Sequence, residues 1–359
     1  MNTPMKEQRE LTERTTNREG AISMKKSIRS LIAGCTLTCS ALAASMSQAA
    51  DPLTLQLKWV TQAQFAGYYV ALEKGFYEDE DLDMTIKPGG PDIAPPQVIA
   101  GGGADVIVEW MPAALASREK GLPLVNIGQI FNKSGMMLTC LKSSGIEKPM
   151  DVKDKTLGVW FFGNEYPFLA WMSKMAIATD GSEGGVTVLK QGFNVDPIFQ
   201  GQADCVSTMV YNEYGQVLDG GLMPSELTVF SYQEQGVAML EDGLYTTEDK
   251  LKDSAMVDKL ARFLKASVKG WEWVANNPEE AAEIVLEYDD TGAQTLEHQV
   301  RMAKAVAKLI EGNSKGVGYL DPAAYDRTVE VLMSGDSSPV ITTKPSGAWT
   351  HDIYEKSGL

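Results

Sequence analysis

Histidine and cysteine are scarce in this chain, and each shortage closes off a class of chemistry. Only His298 and His351 carry an imidazole, both in the C-terminal part of the 359 residues. A histidine-built metal site or a Ser-His-Asp triad is therefore not expected, and no cofactor is expected either. Of the four cysteines, Cys35 and Cys39 fall in an N-terminal leader, which leaves Cys140 and Cys205. Two such thiols make neither a disulfide framework nor a metal site, although an oxidising compartment permits one bridge between them. Basic residues are also in short supply, 32 against 48 acidic. Setting aside residues 1–50 removes 7 basic and 4 acidic residues and leaves 25 against 44, a net charge of −19. So acidic a chain is a poor partner for nucleic acid or anionic membranes. Beyond the leader no run approaches the roughly 18 apolar residues of a membrane-spanning helix.

What is present describes an exported globular protein. Met24 to Arg29 is a basic segment, Leu31 to Ala44 is apolar, and Ser47-Gln48-Ala49-Ala50 offers small residues for cleavage near 49/50. That is the layout of a secretory signal peptide, with Met24 as an alternative start to Met1. Ile32-Ala33-Gly34-Cys35 looks like a lipoprotein box, but it lies close behind the last charge and the apolar run continues past it, so no lipid anchor is expected. Hydrophobic residues at 44% and charged residues at 22% fit an ordinary α/β protein.

From Leu53 short apolar runs alternate with helical stretches. Strands are expected at 53–58, 82–87, 105–108 and 124–130, with helices at 63–74, 94–100 and 112–120 between them. This βαβαβαβ order implies a mostly parallel sheet covered by helices. The pattern then restarts, with strands at 136–141, 156–160, 186–189 and 205–209 and helices at 166–178, 197–200 and 212–218. Leu227 to Ser231 reads as the strand that leads back. Gly102-Gly103-Ala104-Asp105 and Gly201-Gln202-Ala203-Asp204 repeat one helix-to-strand corner in both arrays. Helices follow at 256–276, 278–288, 292–310 and 322–333, and the last 20 or so residues look irregular. The expected division is a leader over 1–50, a first lobe over 51–133, a second over 134–230, and a return to the first lobe with C-terminal helices over 231–359.

In open α/β sheets, ligands bind beyond the carboxyl ends of the strands. That rule selects Trp59, Gln62, Phe65 and Tyr68 after the first strand, and Glu109 and Trp110 after the third. In the second array it selects Trp160, Phe162, Asn164 and Glu165, then Tyr211, Asn212 and Glu213. Tyr69, Phe76, Phe168, Trp171, Trp271 and Trp273 sit where packing explains them. The selected loops hold no Arg or Lys at their centres; Lys58 and Lys190 only flank them. An anionic ligand would want a cation or a free helix start. Rings and carboxylates instead suit a flat, neutral or weakly basic nitrogen heterocycle, stacked on its faces and bonded through its N–H groups.

Three stretches, "LQLKWVTQAQFAGYYVALEKGFYEDEDLDMTI", "GGGADVIV" and "KQGFNVDPIFQGQADCVSTMVYNEYG", resemble the NMT1/THI5-like family of periplasmic substrate-binding proteins that serve ABC importers. The resemblance implies a type II periplasmic-binding-protein fold: two α/β lobes, a two-strand hinge and a cleft between them. It also implies a thiamine pyrimidine precursor, of the hydroxymethylpyrimidine or formylaminopyrimidine type, delivered by a monomer to an ABC permease in the inner membrane. Another aromatic or flavin-like ligand, a sulfonate-type anion, or a sensing role beside a membrane receptor are the alternatives. Relatives often carry W-x-P-N-x-x-H-A-G in the first loop; Trp59 matches, while Gln62 and Phe65 replace the Asn and His. Tyr211-Asn212-Glu213 corresponds to an aromatic-Asn-Glu segment, which makes Glu213 the candidate partner of a ligand amino group. A eukaryotic branch makes the pyrimidine from its own histidine and pyridoxal phosphate, with a cysteine-rich motif. This chain has no histidine before 298 and no clustered cysteines after the leader, so enzyme activity is not expected.

Overall fold

The computed structural model describes residues 49–334 and 339–359. The leader read over residues 1–50, with its signal peptide, alternative start and lipoprotein-like box, lies outside the described residues except for Ala49 and Ala50. Among the described residues no helix is long and apolar enough to cross a membrane.

Among the described residues, ten strands form two five-stranded sheets. The first contains β1 (Asp51–Gln56), β2 (Leu82–Lys87), β3 (Val106–Glu109), β4 (Leu124–Gln129) and β10 (Gly243–Thr247), in the order β2-β1-β3-β10-β4. The second contains β5 (Met136–Leu141), β6 (Thr156–Val159), β7 (Thr187–Lys190), β8 (Cys205–Met209) and β9 (Leu227–Ser231), in the order β7-β6-β8-β5-β9. Side-chain pattern sets these places. β3 and β8 are buried along their whole length, as central strands covered on both faces should be. β2 alternates buried and exposed residues along most of its length and sits at an edge. β4 also lies at an edge yet is fully buried, because the C-terminal segment pairs with it at Asn126–Trp349 and Gln129–Gly318.

Each sheet is parallel except for one strand. β10 runs antiparallel between β3 and β4, and β5 runs antiparallel between β8 and β9. The two strands are equivalent: each begins just after the chain has crossed from one sheet to the other. Leu227–Ser231 therefore does not itself lead back. It stays in the second sheet, and β10, a five-residue run opened by glycine and too short to carry a periodic signal, completes the first. The irregular C-terminal stretch contains a further helix, α11 (Asp352–Ser357).

The repeated corner has one structure in both sheets. Asp105 accepts the backbone N–H of Thr54 through its side chain at 2.9 Å, and Asp204 does the same for Thr156 at 2.9 Å. Each aspartate thus ties the start of its own strand to the neighbouring one. Cys140 and Cys205 face each other across β5 and β8 and are joined by a disulfide.

Helices α1 (Ala66–Glu73), α2 (Pro95–Ala100), α3 (Met111–Glu119), α4 (Tyr166–Lys174), α5 (Asp196–Phe199) and α6 (Glu213–Asp219) connect the strands. The helix expected over 166–178 ends at Lys174, and the chain turns through a positive φ of 53° at Ala176. Four helices then follow: α7 (Ser254–Asn276), α8 (Pro278–Glu287), α9 (Leu296–Ile310) and α10 (Pro322–Met333). α7 crosses α1 so closely that a Cβ on Gly67 would lie 2.2 Å from the Trp271 ring, and one on Gly270 would lie 2.1 Å from the Gly67 carbonyl. That crossing needs glycine on both helices and buries Trp271 as core.

Candidate functional site

The carboxyl ends of the parallel strands in the two sheets face one another across a small cavity. From the first sheet's side come Lys58, Trp59, Gln62 and Gln64, on the loop after β1, and Trp110 after β3. From the second come Trp160 after β6, Asn164, Met209 at the end of β8, and Tyr211 and Glu213 leading into α6. Trp59 and Trp160 meet edge to face across the divide, with centroids 6.0 Å apart. The Trp59 indole N–H is buried and has no partner, so it is a free donor at the cavity wall.

Seven of the sequence-selected residues line this space: Trp59, Gln62, Trp110, Trp160, Asn164, Tyr211 and Glu213. Six do not. Phe65 closes a short 3-10 turn, Ala63–Phe65, and is fully buried beneath the loop. Tyr68 sits in the first turn of α1 and packs edge-on to Trp271 at 5.5 Å. Both are support rather than wall, because helical geometry begins at Ala63 and turns them inward. Glu109 is fully buried in an ion pair with Lys58. Phe162 is exposed, with the Lys190 ammonium 5.2 Å above its ring, and Glu165 accepts the Gly163 N–H at 2.7 Å beside it in a separate surface groove. Asn212 lies one layer behind Glu213.

Sequence reading missed Lys58, Gln64, Met209 and Asp242. Lys58 is not merely flanking: it lines the cavity, 4.9 Å from the centre of the Trp110 ring. Its charge is matched by Glu109, whose carboxylate also accepts the Trp110 backbone N–H. Asp242 comes from the return crossing, just ahead of β10. It accepts the Trp110 indole N–H at 2.8 Å and the Gln64 amide at 2.9 Å, and so fixes two cavity walls. Its neighbour Glu241 faces the opposite way, as successive residues of extended chain do, and accepts the backbone N–H groups of Gly135 and Met136 and the Ser134 hydroxyl. Glu241 thus pins the two crossings together. The signal for both was the Glu241-Asp242 pair itself, an acidic doublet beside apolar residues.

Burial governs the ionisation of these carboxyls. Glu213 is pushed up to about 7 by desolvation, against hydrogen bonds from the Met209 N–H and the Asn212 amide. Asp242 rises to about 6 for the same reason, held back by Gln64, Lys58 and Trp110. Glu241 rises to about 8, and burial lifts Glu109 against the pull of Lys58. Glu213, the carboxyl on the cavity wall itself, is held only by neutral donors and has no cation acting on it, and its oxygens retain lone pairs for a further N–H.

Two α/β lobes, crossed twice by the chain and enclosing a cavity at their strand tips, define the periplasmic-binding-protein fold. A conserved Candida albicans gene product, described as exhibiting the generic periplasmic binding protein structural fold, superposes with a TM-score of 0.58 at 15% identity over 86% of this chain and 94% of that one. The family model "NMT1/THI5 like" matches residues 62–281, and the chain belongs to that family. It is 27% identical over 311 residues, 85% of this chain and 92% of the relative, to the formylaminopyrimidine-binding protein of Halalkalibacterium halodurans. It is also 24% identical over 248 residues, 64% of this chain and 69% of the relative, to the 4-amino-5-hydroxymethyl-2-methylpyrimidine phosphate synthase of Candida albicans.

Proposed function

We propose that this protein is an extracytoplasmic solute-binding component that captures a flat, amino-bearing nitrogen heterocycle and hands it to an ABC permease in the membrane. The ligand class is a single-ring pyrimidine of the hydroxymethyl or formylamino type. The observation that carries this reading is Glu213, a buried carboxyl with no cationic partner, set among four aromatic walls. An exocyclic amino group would supply the missing positive edge, and Trp59, Trp110, Trp160 and Tyr211 would flank the ring. The free Trp59 N–H suits a ring nitrogen or a formyl oxygen. The similarity to a formylaminopyrimidine-binding protein points the same way.

Lys58 is the cation on the cavity wall, but a sulfonate would have to displace Glu109 from it and leave that carboxylate buried and unpaired. Binding without turnover fits the site better than the synthase chemistry named for the Candida albicans relative. His298 reaches Asn212 rather than the cavity, and the cavity carboxyls are engaged by fixed donors. Calorimetry with aminopyrimidines, riboflavin and alkanesulfonates tests the reading. Binding of an aminopyrimidine with weaker or no binding of the others supports it; binding of taurine alone, or turnover of the pyrimidine by purified protein, overturns it.

A further inference from the structure

Asn212 belongs to the second lobe, but two groups of the first lobe grip it. Its amide N–H groups donate to Gln62 Oε1 at 3.1 Å and to Glu213 Oε1 at 2.7 Å. Its carbonyl accepts from Gln216 Nε2 at 3.1 Å and lies 2.8 Å from His298 Nε2. The carbonyl can only accept, so His298 Nε2 carries the proton. His298 Nδ1 then holds a lone pair, and the Arg301 guanidinium, 2.8 Å away and always charged, donates to it. Arg301 in turn pairs with Asp219 of α6. All four bonding positions of the Asn212 amide are thus filled, two of them from across the cleft.

The first-lobe side of this contact is built rigidly. Thr295 caps α9 by accepting the His298 backbone N–H at 3.3 Å, and Gln299 one residue on accepts the Ala63 N–H at 2.6 Å. That second bond fixes α9 against the loop that carries Gln62. From Gln62 the network continues through Gln64 at 2.7 Å to Asp242 at the crossing. One line of side chains therefore joins α9, the second-lobe cavity loop, the first-lobe cavity loop and the chain crossing.

We propose that His298 is a positioning residue: acting through Asn212, it latches the lobes shut and holds Glu213 aimed at the ligand. The inference rests on the heterocycle-binding reading for its ligand but not for its geometry. A latch that forms only in the closed state slows escape more than it slows encounter. The test compares wild type with H298Q, which keeps an N–H donor where Nε2 stands, and with H298L, which has similar bulk and no donor.

Stopped-flow release of 4-amino-5-hydroxymethyl-2-methylpyrimidine should be faster in H298L by about tenfold with association changed by less than about threefold, and H298Q should release at close to the wild-type rate. Equal loss in H298Q and H298L would reduce His298 to packing, and a wild-type rate in H298L would remove it from retention; either overturns the latch. Small-angle scattering of the same three proteins, with and without the pyrimidine, separates this from the functional reading. If wild type binds no pyrimidine but H298L is more open than wild type and H298Q, the ligand assignment fails and the latch stands. If all three have the same shape, the latch fails.

Discussion

The first lobe brings Lys58 and Glu109 to the cleft as a closed ion pair, whereas the second brings Glu213 with only neutral donors around it. Both carboxyls are buried and both are lifted by burial, but one has its counter-charge built into the fold and the other does not. The first lobe's pair holds its walls in place, and in the function proposed above the second lobe's carboxyl is the one left for the ligand.

The sharpest way to break this comparison is to strip the first lobe's pair. Lys58→Met leaves Glu109 buried without its cation and should cost about 3–5 kcal/mol of stability, read as a lowered denaturant midpoint at constant slope. A stable Lys58→Met protein would mean that the pair is not structural. The second lobe has its own internal tie. Replacing Cys140 and Cys205 with alanine should cost about 2–4 kcal/mol, and the same denaturant titration measures it. Glu213→Gln should instead leave stability unharmed while weakening pyrimidine binding by about 1–3 kcal/mol, measured calorimetrically. If its stability falls as much as that of Lys58→Met, the contrast between the lobes disappears.

The smallest effect is on pH dependence. Glu213 is lifted from 4.5 to about 7, so the folded protein binds its proton more tightly than the unfolded chain does. Its contribution is full below about 4.5 and is lost as pH rises through about 7. Asp242, lifted from 3.8 to about 6, behaves the same way. Unliganded wild type should therefore lose stability as pH rises across this window, and Glu213→Gln should lose less. Chemical denaturation at a series of pH values reads both slopes.

These contrasts also show which parts could be read from the residues. Trp59, Trp110 and Trp160 were legible because each follows the carboxyl end of a parallel strand, a place that topology alone assigns to ligands. Phe65 and Tyr68 fall behind the cavity wall because the helix begins earlier than the loop reading allowed, and a shift of a few residues turns a ring from cavity to core. Lys58 was legible as a neighbour of the site but not as a neutralised one, since its partner Glu109 is set beside it only by the pairing of β1 with β3. Asp242 was hidden because β10 is too short to announce itself, so the crossing that delivers the side chain had no visible frame. The Asn212–His298 contact joins residues from different lobes, and nothing local in either stretch encodes it. The two-sheet architecture was plain because it repeats, down to the Asp105 and Asp204 corners.

A crystal structure of the protein with bound 4-amino-5-hydroxymethyl-2-methylpyrimidine tests the central claim most directly. The account predicts the exocyclic nitrogen about 2.7–3.2 Å from a Glu213 oxygen, the ring between Trp59 and Trp160, and Lys58 still on Glu109. A ring held elsewhere, or a Lys58 that has left Glu109 to contact the ligand, would contradict it.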